Sequence, residues 1–268
     1  MINAKKLATI GLTSLALLTL AGCSNNKSNQ SPAAQKVEKK AAKEKAHTNQ
    51  VKSLVAKANE TTISSAHMSQ TINAAGNKSD LDGDFDIKSG LLNMTLSVNN
   101  PQKVTNEYWY QVTHKGKGDQ YKMYARTKGM SNWQWRNIKA GQNQLSVQEH
   151  NIETQRAIWA QMVNSHPDLI NVSKSDDGSK LTIKNTPKVR SALKQILNLD
   201  SQHRTVAQSD LELNVDNMGV PVYMHMTLNT KSKDKGLVKN DETFMQINKR
   251  NNLAIPKNVI KKAKKMQG

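Results

Sequence analysis

Leu92-Asn93-Met94-Thr95-Leu96-Ser97-Val98 alternates apolar and polar residues without a break, and Asn99-Asn100-Pro101 ends the run with a turn signal. A period of two places Leu92, Met94, Leu96 and Val98 on one face of a strand and Asn93, Thr95 and Ser97 on the other. One apolar face and one wet face mark an antiparallel sheet. Upstream, Met68, Gln70 and Ile72 alternate with Ser69 and Thr71, and Leu81, Gly83, Phe85 and Ile87 alternate with four aspartates. Ala75-Gly76-Asn77-Lys78 and Ser89-Gly90 separate these runs as turns. Downstream, further strands are expected around Val104 to Val112, Gln120 to Arg126 and Trp133 to Ile138, which makes a six-stranded meander.

Helical spacing flanks the meander. Val51, Leu54, Val55 and Ala58 predict an amphipathic helix over about 49–59, and Ile152, Ile158, Trp159 and Met162 predict another over 152–163, closed by Pro167. After a short strand, Lys180 to Lys184, Thr186 is an N-cap and Pro187 a first helical residue, with Val189, Ala192, Leu193, Ile196 and Leu197 as the apolar stripe. Three strands then return, around Leu211 to Val215, Val222 to Leu228 and Glu242 to Lys249, and Val259 to Gly268 reads as a basic tail. The expected fold is α+β: one domain over 49–268, a large curved antiparallel sheet with helices packed on one side.

The head of the chain reads as an address. Lys5 and Lys6 precede an apolar run, Leu7 to Leu20, of about 14 residues, short of the ~20 a spanning helix needs. Leu20-Ala21-Gly22-Cys23 has the lipobox pattern. Residues 1–22 are thus expected to be a lipoprotein signal peptide and Cys23 the lipidated residue, its thiol carrying diacylglycerol. Residues 23–48, rich in Ser, Asn, Gln, Ala and Lys, are expected to be a flexible tether. This places the protein outside the cytoplasm, lipid-anchored to the outer face of the cell membrane.

Removing residues 1–22 lowers the formal charge from +18 to +16. That balance favours polyanions. For an exported lipoprotein the polyanions at hand are phospholipid headgroups and, in a Gram-positive envelope, teichoic acids, so no nucleic-acid partner is expected. Cys23 is the only cysteine, which excludes disulfides and cysteine metal sites.

The lipobox, the Lys-rich tether, Ser64-Ser65-Ala66-His67-Met68, the Met-containing strands and Ile247-Asn248-Lys249 to Leu253-Ala254-Ile255-Pro256 together resemble an uncharacterised family of Gram-positive lipoproteins. Its domain is similar to the LolA/LolB lipoprotein carriers and the LppX/LprG-type lipid-binding lipoproteins. The resemblance covers about 49–262. It implies an incomplete β-barrel around helices, with an apolar cavity on the concave side that takes acyl chains, and it carries over no individual functional residues.

Methionine is the residue type that bears on a ligand. Met68, Met94, Met123, Met224 and Met226 fall within expected strands, and Met suits a wall that repacks around a flexible apolar guest. With Leu96 they are the candidate apolar wall of a ligand site; the alternative is a wall packed on the helices. Tyr108, Trp109, Tyr110, Trp133 and Trp135 cluster among Arg126, Lys128, Arg136 and Lys139, a pattern open to core packing, sugar stacking or a membrane interface.

Other motifs carry less. Asp80, Asp82, Asp84 and Asp86 lack the Gly and Glu of an EF-hand and are expected to line a solvated strand face, opposed by cross-strand lysines. Ser191-Ala192-Leu193-Lys194 spells SxxK, but the Lys88-Ser89-Gly90 that would follow it in penicillin-recognising enzymes precedes it. The seven histidines show no HExxH, and no catalytic constellation, metal site or cofactor motif is present. The expected function is non-enzymatic: an envelope lipoprotein binding a lipid or other amphipathic ligand in a half-barrel cavity. The alternative is a surface module that uses its basic face on an anionic wall polymer or a protein.

Overall fold

The computed structural model describes residues 32–114, 120–139, 142, 144–175, 177–234, 236–250 and 252–266. Cys23, the lipobox and the first part of the expected tether lie outside them. The chain divides into two compact units, Met1–Ala41 and Ala42–Gly268. Of the first, the described residues belong to the start of helix α1 (Pro32–Glu60), with exposed side chains from residue 35 onward. The helix thus begins well before 49, inside the expected tether. Ala, Lys, Glu and Gln are all strong helix formers, and their intrinsic preference outweighs the missing apolar stripe.

In the second unit, β1 (Ser65–Ala74), β2 (Asn77–Asp86), β3 (Leu91–Asn99), β4 (Lys103–His114), β5 (Gln120–Thr127) and β6 (Gln134–Ile138) form the meander. Then come α2 (Gln144–Ser165), the hairpin β7 (Asn171–Ser175) and β8 (Gly178–Ile183), and α3 (Pro187–Ile196). The chain closes with β9 (Arg204–Asp216), β10 (Pro221–Ser232), β11 (Gly236–Met245), α4 (Lys257–Lys262) and β12 (Lys264–Lys265). All twelve strands join one sheet in the order β12-β6-β5-β4-β3-β2-β1-β11-β10-β9-β8-β7, open at both ends. The fold is α+β with a large curved, mostly antiparallel sheet that does not close into a barrel.

One row of residues crosses the sheet strand by strand: Leu181, Leu213, Met224, Phe244, Met68, Gly83, Met94, Tyr108 and Ala125. Its first five residues, down to Met68, are buried in a core shared with Val51, Val55 and Ala58 of α1, Ile158, Trp159 and Met162 of α2, and Val189 and Leu193 of α3. The three helices therefore pack on a single sheet face. Helix α3 starts as its residues dictate, Thr186 Oγ1 accepting from the Val189 N–H at 3.2 Å with Pro187 in the first turn.

Three features depart from the sequence reading. Helix α2 starts at Gln144, ahead of Ile152, because Gln148 and Gln155 interrupt the apolar stripe yet are buried in it. Strand β7 is nearly all polar and exposed at the sheet edge, so it carries no alternation to detect. The expected basic tail instead forms α4 and β12, which pairs parallel with β6 through Lys264 N–H to Trp133 O and Met266 N–H to Trp135 O, both 2.9 Å. Backbone hydrogen bonds hold β12 there, and they are indifferent to its being Lys-Lys.

Asn248 ties the end of β11 to the start of β1. In a left-handed conformation (φ 60°), it accepts from Ser64 N–H at 2.7 Å, donates to Thr62 O at 2.9 Å, and its own N–H reaches Ser65 O at 2.7 Å. The Ser64–Met68 and Ile247–Lys249 stretches are thus one structural joint.

Glu242 of β11 lies under α2, 3 % exposed, accepting from Asn151 Nδ2 at 2.7 Å and Gln155 Nε2 at 2.9 Å. Burial pushes its carboxyl above the usual carboxylate range, and the two amides only partly oppose this. A group whose folded-state pKa is raised loses stability for the fold as pH climbs from its unfolded value through the folded one. Gln155 Oε1 is buried without a partner, so a donor at position 242 has an acceptor waiting. Glu242→Gln is therefore expected to raise stability at neutral pH by about 1 kcal/mol, the scale of one buried polar group. At pH values below ~4, where the carboxyl is protonated whether folded or not, the gain disappears. Urea unfolding at both pH values checks it, and a loss of stability at neutral pH would contradict it.

Candidate functional site: an apolar groove beyond the helices

Past Gly83 the row continues in the same core, with Met94 buried in it, Tyr108 and Ala125 packed against it, and α2 still reaching β3. Met94, Tyr108 and Ala125 line a cavity of about 560 Å³, open on one side. Adjacent rows complete it: Gln70, Leu81 and Leu96 on one flank, and Tyr110, Met123 and Arg136 on the other. Gln144, the first residue of α2, and Met266, just past β12, close its rim. Met94, Tyr110 and Met123 are the deeply buried part, while Leu81, Leu96, Tyr108 and Ala125 are half-buried. Strand alternation alone positions these side chains, since each is an inward residue on its own strand.

The six candidate wall residues divide. Met94, Leu96 and Met123 line the groove. Met68, Met224 and Met226 are packed into the helix-covered core, where Met68 and Met224 are each 1 % exposed. Met94 and Met123 also belong to that buried core, so at these two positions core packing and groove lining coincide. Sequence reasoning did not single out Tyr108, Tyr110 and Arg136 as one site. The available signal was register: Tyr110 pairs with Met123, which pairs with Arg136.

The Tyr110 phenol is pushed up to about 12, chiefly by burial and then by Tyr108, with Arg136 opposing. It is therefore a neutral hydrogen-bonding group at ordinary pH. Tyr108 stacks on it, ring centroids 6.0 Å apart. The polar groups among the described lining residues are Gln70, Ser79, Gln144, Arg136 and the two tyrosine hydroxyls.

The other face of the same strands is different. Trp109, Tyr124 and Trp135 are direct cross-strand neighbours there, and with Trp133 they form a second apolar cluster capped by Leu253, Ile255, Val259 and Ala263. Lys122 and Lys265 sit over the Trp135 ring at 4.4 and 5.9 Å, and Arg126 over Trp133 at 4.7 Å.

No family model matches the chain, and no curated protein does.

The remaining sequence candidates resolve as structural contacts. His67 lies between Asp84 (Nδ1, 2.9 Å) and Asp82 (Nε2, 3.2 Å), and Arg250 also reaches Asp84 at 3.2 Å. Asp80 accepts from Thr71 Oγ1 at 2.7 Å and pairs with Lys78 on its own strand; these contacts hold its carboxyl below the usual range. Asp86, expected to face solvent, is instead buried, accepting from the N–H groups of Lys88 and Ser89 in the β2–β3 turn. The aspartates' direct partners are thus His67, Arg250, Thr71, a same-strand lysine and turn amides, while Lys103 of β4 adds only its field at Asp80. Among the described residues no three His, Cys, Asp or Glu side chains are arranged to hold a metal, and no helix is long and apolar enough to cross a membrane.

Proposed function

We propose that this protein is a non-enzymatic envelope lipoprotein, anchored through diacylglycerol on Cys23 to the outer face of the cell membrane, that binds an amphipathic lipid in the groove of its sheet. The observation that carries this reading is the continuous inward row whose far end, Met94, Tyr108 and Ala125, lines a groove open on one side. A volume of about 560 Å³ falls within the ~300–1,000 Å³ of small-molecule sites. A site of that size suits one slender drug-sized guest such as a single acyl chain. Native mass spectrometry of the purified protein after exposure to a bacterial lipid extract tests the reading: one bound single-chain lipid per protein is expected, and a spectrum of bare protein throughout would refute it.

The outer face supports a second reading, binding to an anionic wall polymer. Lys257, Lys261, Lys262, Lys264 and Lys265 are all exposed on the C-terminal segment beside Lys122 and Trp135. Binding to teichoic acid through this face is expected to fall steeply between about 0.1 M and about 1 M salt, as the screening length shrinks from ~10 to ~3 Å. Salt-independent binding, or none, would contradict it.

A further inference from the structure

The chain has six arginines, and five have an acceptor within the protein. Arg126 pairs with Glu107; Arg156 caps the end of α1 through the carbonyls of Ala58 and Asn59; Arg250 meets Asp84. Arg190 donates to Asn185 Oδ1, and Arg204 to Thr230 Oγ1. Arg136 has no hydrogen bond or salt bridge among the described residues. Among the described residues it is also the one charged group in the lining of the groove, where the other polar groups are neutral: Gln70, Ser79, Gln144 and the two tyrosine hydroxyls.

Resting on the groove being a lipid site, we propose that Arg136 is the headgroup residue and that the ligand is a single-chain amphiphile with an anionic head, a carboxylate or a phosphate monoester. Arg136 is an exposed arginine at the margin of the apolar groove, and no carboxylate among the described lining residues pairs with it. A planar guanidinium with five N–H donors binds carboxylate or phosphate oxygens in pairs. Its position in the row Tyr110–Met123–Arg136 puts it on β6, next to the short edge strand β12 and two strands out from Tyr110. A chain lying over Met123 toward Met94 and Leu96 therefore has its head end at Arg136. Helix α2 begins at Gln144 in the same lining, so the positive end of its dipole adds to the field there. With no carboxylate among the described lining residues, an anion meets no opposing charge from them.

The test is calorimetric titration of the full chain with oleate, oleoyl lysophosphatidate and oleyl alcohol below micelle-forming concentrations, on the natural protein and on Arg136→Gln. The natural protein is expected to bind an anion about tenfold more tightly than the alcohol, the value of one charge-assisted contact. Arg136→Gln is expected to lose that margin while keeping its affinity for the alcohol, and its thermal midpoint should not move, since no internal bond is broken. A preference for oleate assigns a carboxylate head and a preference for lysophosphatidate a phosphate; either supports the proposal. Equal binding of anions and alcohol, or an Arg136→Gln protein unchanged toward the anions, overturns the role of Arg136 while leaving the groove a lipid site. If none of the three binds the natural protein, the lipid reading falls with it.

Discussion

Ala125→Trp is expected to reduce binding of single-chain lipids by tenfold or more while leaving the fold intact. Ala125 is the smallest side chain lining the groove, an inward residue of β5 directly opposite Tyr108 of β4 and Gln134 of β6. It is half-buried and faces open space rather than a helix, so an indole there grows into the ligand's volume and not into packed core. Trp is also well suited to a half-buried strand position. The lost volume removes apolar contact at about 25 cal/mol per Å² of ligand surface, and tenfold in affinity corresponds to ~1.4 kcal/mol. Lys122→Ala, on the outer face of the same strand, is the matched control and is expected to bind as the natural protein does. Titration with a fluorescent fatty acid reads both. Full binding by a folded Ala125→Trp protein would place the lipid elsewhere.

Gly83→Ala is expected to be strongly destabilising. A Cβ at this position would lie 2.1 Å from Asn93 O and 2.9 Å from Met94 Cα, both backbone atoms of β3. Backbone in the middle of a paired ladder cannot step aside as a flexible side chain would, so the strands must separate or slip. Gly83 also sits between the buried Met68 and Met94 in the inward row, so a shift of either strand there disturbs the core on both sides. The expected loss is about 3 kcal/mol, the upper end for overpacking a well-packed site. It reads out as a lower urea midpoint with an unchanged slope. A midpoint equal to that of the natural protein would show that β2 and β3 do not approach as closely as the geometry requires.

The sequence was legible wherever a side of the chain had to be apolar. The period of two over Leu92–Val98 recovered the meander, and Thr186-Pro187 with its stripe recovered α3, because burial and capping write themselves into residue type. Elements held by backbone bonds or by buried polar pairs were not legible. Strands β7 and β12 bury almost no side chain of their own, and the first turns of α2 hide behind buried Gln148 and Gln155, the latter a partner of Glu242. The same limit applies to the groove. Alternation shows which face Met94, Leu96 and Met123 share with Met68, Met224 and Met226, but not how far the helices extend over that face. That depends on where α1, α2 and α3 dock, a long-range outcome with no local signature. Asn248 and Gly83 illustrate the point from the other side: one residue's joint and another's missing Cβ decide strand placement, and neither stands out in a hydropathy pattern.

The account rests on a lipid chain lying against the inward residues beyond Gly83. Photo-crosslinking with a diazirine-bearing fatty acid, followed by peptide mapping, reads that placement directly. Adducts are expected on the peptides carrying Met94 and Leu96 and on those carrying Met123 and Ala125, and they should be suppressed by excess unlabelled fatty acid. Adducts confined to the outer cluster of Trp109, Trp133 and Trp135, or labelling that excess fatty acid does not suppress, would contradict it.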